Sequence, residues 1–289
     1  MRATLPDGLE IEAFSDLEAK ILYREIVAEQ TYERHGVTLA PGAVIFDVGA
    51  NIGLFAIHMA RSVPGARIRS FEPAPQTFAM LQRNLSAHAP EVTAVEAGLS
   101  ARDERVTIMF DRFSSITTSM HPAAMSGASK PGATLMQWIT AGLRDLDRTD
   151  SSGVSRGLLR ALNRGWSRWP AAAVVLLAAA GLEVRKRIFR SSVSIQLRTL
   201  SGELAASGLD RIDLAKIDVE GAEEQVLDGI ADRDWPRIRQ FVIEVHDVDG
   251  RLERMASRLR AHGYRVAIDR EDWALHELMG ISTIYAVRE

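Results

Sequence analysis

Residues 45–53 read IFDVGANIG. An apolar, β-branched run reaches an aspartate and then two glycines four positions apart. Working outward, AVIFDV (43–48) reads as a strand ended by glycine, and ANIGLFAIHMARSV (50–63) carries apolar residues at helical spacing. ARIRSFEP (66–73) is a second strand, stopped by Pro73. PQTFAMLQRNLSAH (75–88) is a second helix and EVTAVEAGLS (91–100) a third strand. Strand, helix, strand, helix, strand predicts an α/β fold with a parallel sheet and right-handed crossovers.

Beyond this, RVTIMF (105–110) adds a strand, and the alternation stops between about Ser119 and Arg190. That stretch holds serine- and glycine-rich turns, a basic helix-like piece SRGLLRALNRGWSRW (155–169) and the apolar run AAAVVLLAAAGL (171–182). A structureless loop of this length is uncommon in a compact domain, so 119–190 is expected to be a helical insertion, a lid or substrate subdomain. The α/β pattern returns with SIQLRTL (194–200), IDLAKIDVEG (212–221), the helix AEEQVLDGI, the strand RQFVIEVH (239–246) and the helix GRLERMASRLRAHG (250–263). YRVAIDRE and STIYAVRE close the chain as an expected antiparallel pair. The expected organisation is an N-terminal helical segment over 1–40, a core formed by 41–118 and 191–289, and the insertion between them.

The chain has 289 residues, 46% of them hydrophobic, and a formal net charge of −3, so no global field recruits nucleic acid. It has no cysteine, which excludes disulfides, thiolate zinc sites and a cysteine nucleophile and fits a reducing interior. The first residues lack the apolar centre of a signal peptide. The 171–182 run falls short of the ~20 apolar residues a spanning helix needs. A cytoplasmic protein without a membrane span is expected.

A strand ending in Asp47-x-Gly49-x-x-x-Gly53 and entering a helix turns backbone N–H groups toward a ligand that the glycines allow to come close. Leu-Phe-Ala follows Gly53, where a phosphate-binding loop has Gly-Lys-Ser/Thr, and the glycine spacing is not that of a dinucleotide fold. No lysine or arginine between 45 and 60 neutralises a diphosphate, and Asp47 repels one. Glu72 ends the second strand, where an acid holds both hydroxyls of a ribose. A ribose without phosphates, joined to an amino-acid-like cation, describes S-adenosylmethionine. Asp47 and Glu72 could instead cap the helices that follow. Their recurrence at the C-terminal edge of successive strands favours the ligand. Asn51 belongs to the same loop.

FDVGANIGLF (46–55), SFEPAP (70–75), IDLAKIDVEGAEEQVLDG (212–229) and VIEVHD (242–247), in this order, resemble the FkbM family of S-adenosylmethionine-dependent O-methyltransferases. The 23–55 stretch, QLRTLS (196–201) and VIEVHDVDGRLE (242–253) look like the FkbM-type domains embedded in polyketide and nonribosomal peptide synthases. The resemblance implies a class I methyltransferase (Rossmann-like) fold, with a seven-stranded, mostly parallel sheet whose last strand is antiparallel. It implies methyl transfer to a hydroxyl oxygen. It places the adenine near Ala97, Gly98 and Leu99, after the third strand. Tyr32 closes over the cofactor or packs as a core aromatic.

Methyl transfer from a sulfonium needs the acceptor oxygen held in line and relieved of its proton. Lys216, Asp218 and Glu220 share one face of the fourth strand by the period-two rule, and Glu244 and His246 one face of the fifth. His246 is the expected general base, since imidazole titrates near working pH, with Asp218 or Glu244 orienting it. The alternatives are a buried Lys216–Glu244 ion pair with His246 as a cap, or a divalent metal on Asp218, Glu244 and His246, which is not favoured. The remaining histidines read as surface or packing residues.

Arg156, Arg160, Arg164 and Arg168 recur every four residues in the insertion. They form either a solvated face or a docking face for an acidic carrier protein. The expected function is O-methylation of a polyketide- or peptide-like intermediate, an acyl chain on a carrier protein. Alternatives are a free small-molecule or sugar hydroxyl as acceptor, or a non-catalytic module.

Overall fold

The computed structural model describes residues 1–111, 140–142, 144–145, 190–270 and 274–288. The chain opens with a hairpin, β1 (Arg2–Thr4) against β2 (Glu10–Glu12), Ala3 opposite Ile11. Pro6-Asp7-Gly8 makes its turn: Gly8 has φ +84°, its N–H meets the Leu5 carbonyl at 2.9 Å, and the Asp7 carboxylate accepts the Leu9 N–H. The expected helical segment over 1–40 thus opens with a hairpin. Helix α1 (Asp16–Tyr23) begins only after Ser15, whose hydroxyl accepts the Glu18 N–H, and runs into a π-helical turn, Arg24–Ala28, and a 3-10 turn, Thr31–Glu33.

The next elements fall where the pattern puts them. They are β3 (Val44–Val48), α2 (Leu54–Ser62), β4 (Arg67–Phe71), α3 (Pro75–His88) and β5 (Thr93–Val95). The third strand is shorter than expected. The chain turns at Ala97, whose N–H meets the Val95 carbonyl, and β6 (Gly98–Leu99) leaves for another sheet. A Cβ on Gly98 would sit 2.8 Å from the end of the Leu197 side chain, which would have to shift to admit it. That second, three-stranded sheet pairs β6 with β8 (Arg190–Arg198), which pairs antiparallel with β7 (Glu104–Asp111). Most of 119–190, with its arginines and apolar run, lies outside the described residues.

After β8 come α4 (Leu200–Ser207), β9 (Leu214–Ile217), α5 (Glu223–Asp228), β10 (Gln240–His246), α6 (Arg251–Ala261), β11 (Arg265–Asp269), α7 (Ala274–Met279) and β12 (Ile281–Val287). The main sheet has seven strands in the order β11-β12-β10-β9-β3-β4-β5. β12 runs antiparallel to both neighbours, and the other pairings are parallel. The fold is thus the α/β methyltransferase architecture, with β11 and β12 the antiparallel pair. From β3 the chain winds outward through β4 and β5, then restarts on the other side with β9. The crevice at the strand ends therefore opens between β3 and β9.

Two apolar layers cover the sheet. Ile45, Phe55, Ile57, Leu81 and Tyr285 pack on one face, and Phe46, Phe71, Trp235, Phe241 and Leu259 on the other. Each such side chain contributes ~1.5–3 kcal/mol by leaving water. Asn84 on α3 ties the N-terminal hairpin to the glycine loop: its amide donates to the carbonyls of Glu12 and Ile52 and accepts the Glu12 N–H at 2.7 Å. Among the described residues no helix is long and apolar enough to cross a membrane.

Candidate active site

The loop between β3 and α2 turns through Gly49 (φ +78°), Asn51 (φ +50°) and Gly53 (φ +93°). The N–H groups of Gly49 and Ala50 both meet the Phe71 carbonyl, which anchors the loop to the end of β4. A Cβ on Gly49 would collide with the Asp218 carbonyl oxygen, and one on Gly53 with the Leu81 side chain. The glycines are thus required by the chain's own packing as well as by the turn.

Asp47 and Glu72, both expected at the cofactor, sit in different surroundings. Asp47 is fully buried; the Ser70 hydroxyl donates to it and the Lys216 ammonium lies 3.3 Å away. Lys216 also donates to the Gly49 carbonyl at 2.7 Å and pairs with Asp218 at 3.6 Å. Burial alone would pull this ammonium down, but Asp47 and Asp218 outweigh it and hold it charged. The partners of Lys216 are these two acids, so the expected Lys216–Glu244 pair is corrected.

Glu72 instead lines a cavity. Its two carboxylate oxygens accept the N–H groups of Asn51 (3.1 Å) and Ala74 (2.9 Å). Burial pushes its pKa up to about 7, against the lowering pull of those two bonds. The cavity walls include Gly49, Asn51, Gly98, Leu99 and Asp218, all expected from the sequence. They also include Thr77, Ile108, Val219 and Glu220, which were not expected at the cofactor. Ile108 comes from β7, so the small sheet forms part of the wall. No basic side chain lines the cavity among the described residues.

Asp47, Gly53, Ala97, Tyr32, Glu244 and His246 are not on that wall. Tyr32 is buried, edge-on to Phe55 at 5.1 Å, and donates to Glu25 at 3.0 Å. It is a core aromatic here.

β9 ends at Ile217, so Lys216, Asp218 and Glu220 do not share a strand face. The chain turns through Glu220 (φ +52°) and Gly221 (φ +100°) instead. This turn brings Glu220 to His246 at the end of β10, with Oε2 3.3 Å from Nε2. The other ring nitrogen, Nδ1, lies 3.2 Å from Glu223 on α5. Glu223 is fully buried, accepts the Gly221 N–H at 2.7 Å, and pairs with Arg251 of α6 at 2.9 Å. Burial would lower the imidazole, but Glu220 and Glu223 outweigh it and raise its pKa to about 11. Both ring nitrogens thus face carboxylates, an arrangement that favours the protonated ring.

Glu244, also on β10, is pushed well above the carboxylate range by burial and by Asp218 and Glu25. Among the described residues no group of three or more histidine, aspartate or glutamate side chains is arranged to hold a metal ion. Both nitrogens of His246 are already engaged by carboxylates, so the alternative ligand set of Asp218, Glu244 and His246 does not assemble.

Residues 47–266 match the methyltransferase FkbM domain. The chain belongs to the FkbM family. It is an S-adenosylmethionine-dependent methyltransferase of the FkbM type. It is 36% identical to the 31-O-demethyl-FK506 methyltransferase FkbM of Streptomyces tacrolimicus, over 92% of this chain and 90% of that one. It is 32% identical to the AMB antimetabolite synthetase AmbE of Pseudomonas aeruginosa over its whole length, which spans 12% of that synthetase. The methyltransferase sdnD of Sordaria araneosa is 29% identical over 93% of this chain and 90% of its own. The FkbM match begins at Asp47 and runs into β11, so it takes in Glu72 and the His246 cluster and leaves the N-terminal hairpin outside.

Proposed function

We propose that this chain methylates a hydroxyl oxygen of a polyketide- or peptide-like intermediate delivered on a carrier protein. The observation that carries the reading is Glu72 in the cavity: among the described residues an acid hydrogen-bonded by backbone N–H groups, with lone pairs left for the two hydroxyls of a ribose. The donor set fits the cofactor. Three carboxylates and no described cation line the cavity, which suits a sulfonium and disfavours a phosphate. When bound, S-adenosylmethionine supplies an electrophilic methyl group on a positively charged sulfur.

The chain's own residues do the rest. Glu72 holds the ribose, and Gly98 and Leu99 flank the adenine. Asn51 and Asp218 face the methionine end, while Asp47 acts behind them by fixing Lys216. The acceptor hydroxyl lies toward Glu220, and its proton leaves to the Glu220–His246 side of the site. Water is kept out on one side by Ile108 and Val219. The AmbE relative supports the carrier, since there the matching stretch is a small part of a synthetase.

A second reading, a free small-molecule acceptor, is favoured by the Streptomyces relative, which this chain matches over nearly its whole length. Mass spectrometry of a panel of hydroxyacyl substrates, each free and carrier-bound, decides between them. The expected result is one added methylene on the carrier-bound hydroxyl. Transfer only to free substrates supports the second reading, and transfer only to nitrogen or carbon sinks both.

A further inference from the structure

We propose that Glu220 is the catalytic residue that takes the acceptor's proton, and that His246, Glu223 and Arg251 are positioning residues behind it. The proposal rests on the O-methylation reading and names the base within the same site.

Four observations lead there. Glu220 lines the cavity and His246 does not. Glu220 sits at φ +52°, a left-handed conformation that costs a non-glycine residue backbone strain. That turn places its carboxylate 3.3 Å from the imidazole, between ring and cavity. The imidazole is fixed from behind by Glu223 at 3.2 Å, which is itself fixed by Arg251 and by the Gly221 N–H. The result is a chain of alternating charge from α6 to the cavity: Arg251, Glu223, His246, Glu220.

The charges facing Glu220 set its strength. His246 lowers it, while burial, Asp218 beside it and Glu223 behind the ring raise it, and the balance lies above the ordinary carboxylate value. Glu244 on β10, itself pushed up by burial and by Asp218 and Glu25, lies among the same acids. A carboxylate brought nearer to working pH is a better general base, and a hydrogen bond from His246 keeps it in one orientation. In the step itself the acceptor's O–H bond breaks and its proton goes to Glu220. The acceptor oxygen bonds the methyl carbon, and the pair of the breaking C–S bond stays on sulfur.

Two measurements test this. The first needs no substrate: ¹⁵N NMR of histidine-labelled protein, with His246 assigned by its loss in His246→Gln. The ring is expected to keep both protons through about pH 9, and Glu223→Gln to bring its midpoint down. A wild-type midpoint near the free value of ~6.5 overturns the proposal.

The second is the pH profile of methyl transfer. Glu220→Gln is expected to lose ~10²–10⁴-fold in rate. Its cofactor affinity by calorimetry should fall far less than its rate, by about tenfold at most. His246→Gln retains an amide donor for Glu220 and removes a positive charge, so it should keep activity with its acid limb moved to higher pH. An active Glu220→Gln beside a His246→Gln that is dead at every pH overturns the proposal and returns the proton to the imidazole. A wild type inactive on every hydroxyl would instead defeat the underlying reading, and the ring titration would still decide the state of His246.

Discussion

At the β3–β4 edge Glu72 is held by two backbone N–H groups and lines the cavity, whereas at the β9–β10 edge both nitrogens of His246 face side-chain carboxylates. Backbone donors are part of the fold and move little, and an acid they hold keeps acceptor capacity for a ligand. A side-chain chain such as Arg251–Glu223–His246–Glu220 fixes a charge state instead, because each member raises the cost of changing its neighbour's. The first edge leaves an acid with acceptor capacity, and the second ties its acids to a cation. Asp47 sharpens the contrast within the first edge. It ends the strand beside Glu72's, yet it is sealed with Lys216 and serves the scaffold.

The largest effect that could break this division concerns Lys216. Lys216→Met leaves Asp47 fully buried without its counter-charge, and the expected loss of stability is about 3–5 kcal/mol in chemical denaturation. A loss near zero would mean that Asp47 is not sealed and would reopen it as a ligand contact.

Next comes the titration of Glu72. Its pKa of about 7 in the free protein must fall when ligand hydroxyls donate to the ionised form. Cofactor affinity should therefore drop as pH falls below 7, approaching about tenfold per unit, with a proton released on binding near pH 6. Calorimetry in two buffers of different ionisation enthalpy reads that proton directly. Affinity flat from pH 8 to pH 5.5 would break the assignment.

The smallest effect is a control. Thr199 accepts the Gly202 N–H at the start of α4, and Thr199→Ala should cost about 1 kcal/mol of stability. Cofactor affinity should not change. A parallel loss of affinity would mean that the edges respond to general loosening and are not built separately.

Legibility followed the same physics. β3, α2, β4 and α3 show in the sequence because apolar runs end at Gly49, Pro73 and Pro75, and α3 starts at Pro75, where proline's fixed φ suits a first turn. The third strand was overrun because the chain turns at Ala97 and Gly98 pairs with Leu197 of β8, nearly a hundred residues away. The N-terminal hairpin left a readable mark in Pro6-Asp7-Gly8, but three-residue strands give no period to follow. The site was half legible. Glu72 and Asn51 could be placed from strand ends, and Leu99 from the family resemblance, whereas the period-two rule misassigned Glu220, because β9 stops three residues before it. Glu223 looked like any acid in the first turn of a helix, and only the fold brings it to His246.

The central claim is that Glu72 anchors the cofactor, and calorimetric titration of S-adenosylmethionine into wild type and Glu72→Ala at pH 8 tests it most directly. Losing an acceptor of two charge-assisted hydrogen bonds should weaken binding by about 2–3 kcal/mol, roughly 30- to 150-fold. Equal affinity in the two proteins would contradict the claim.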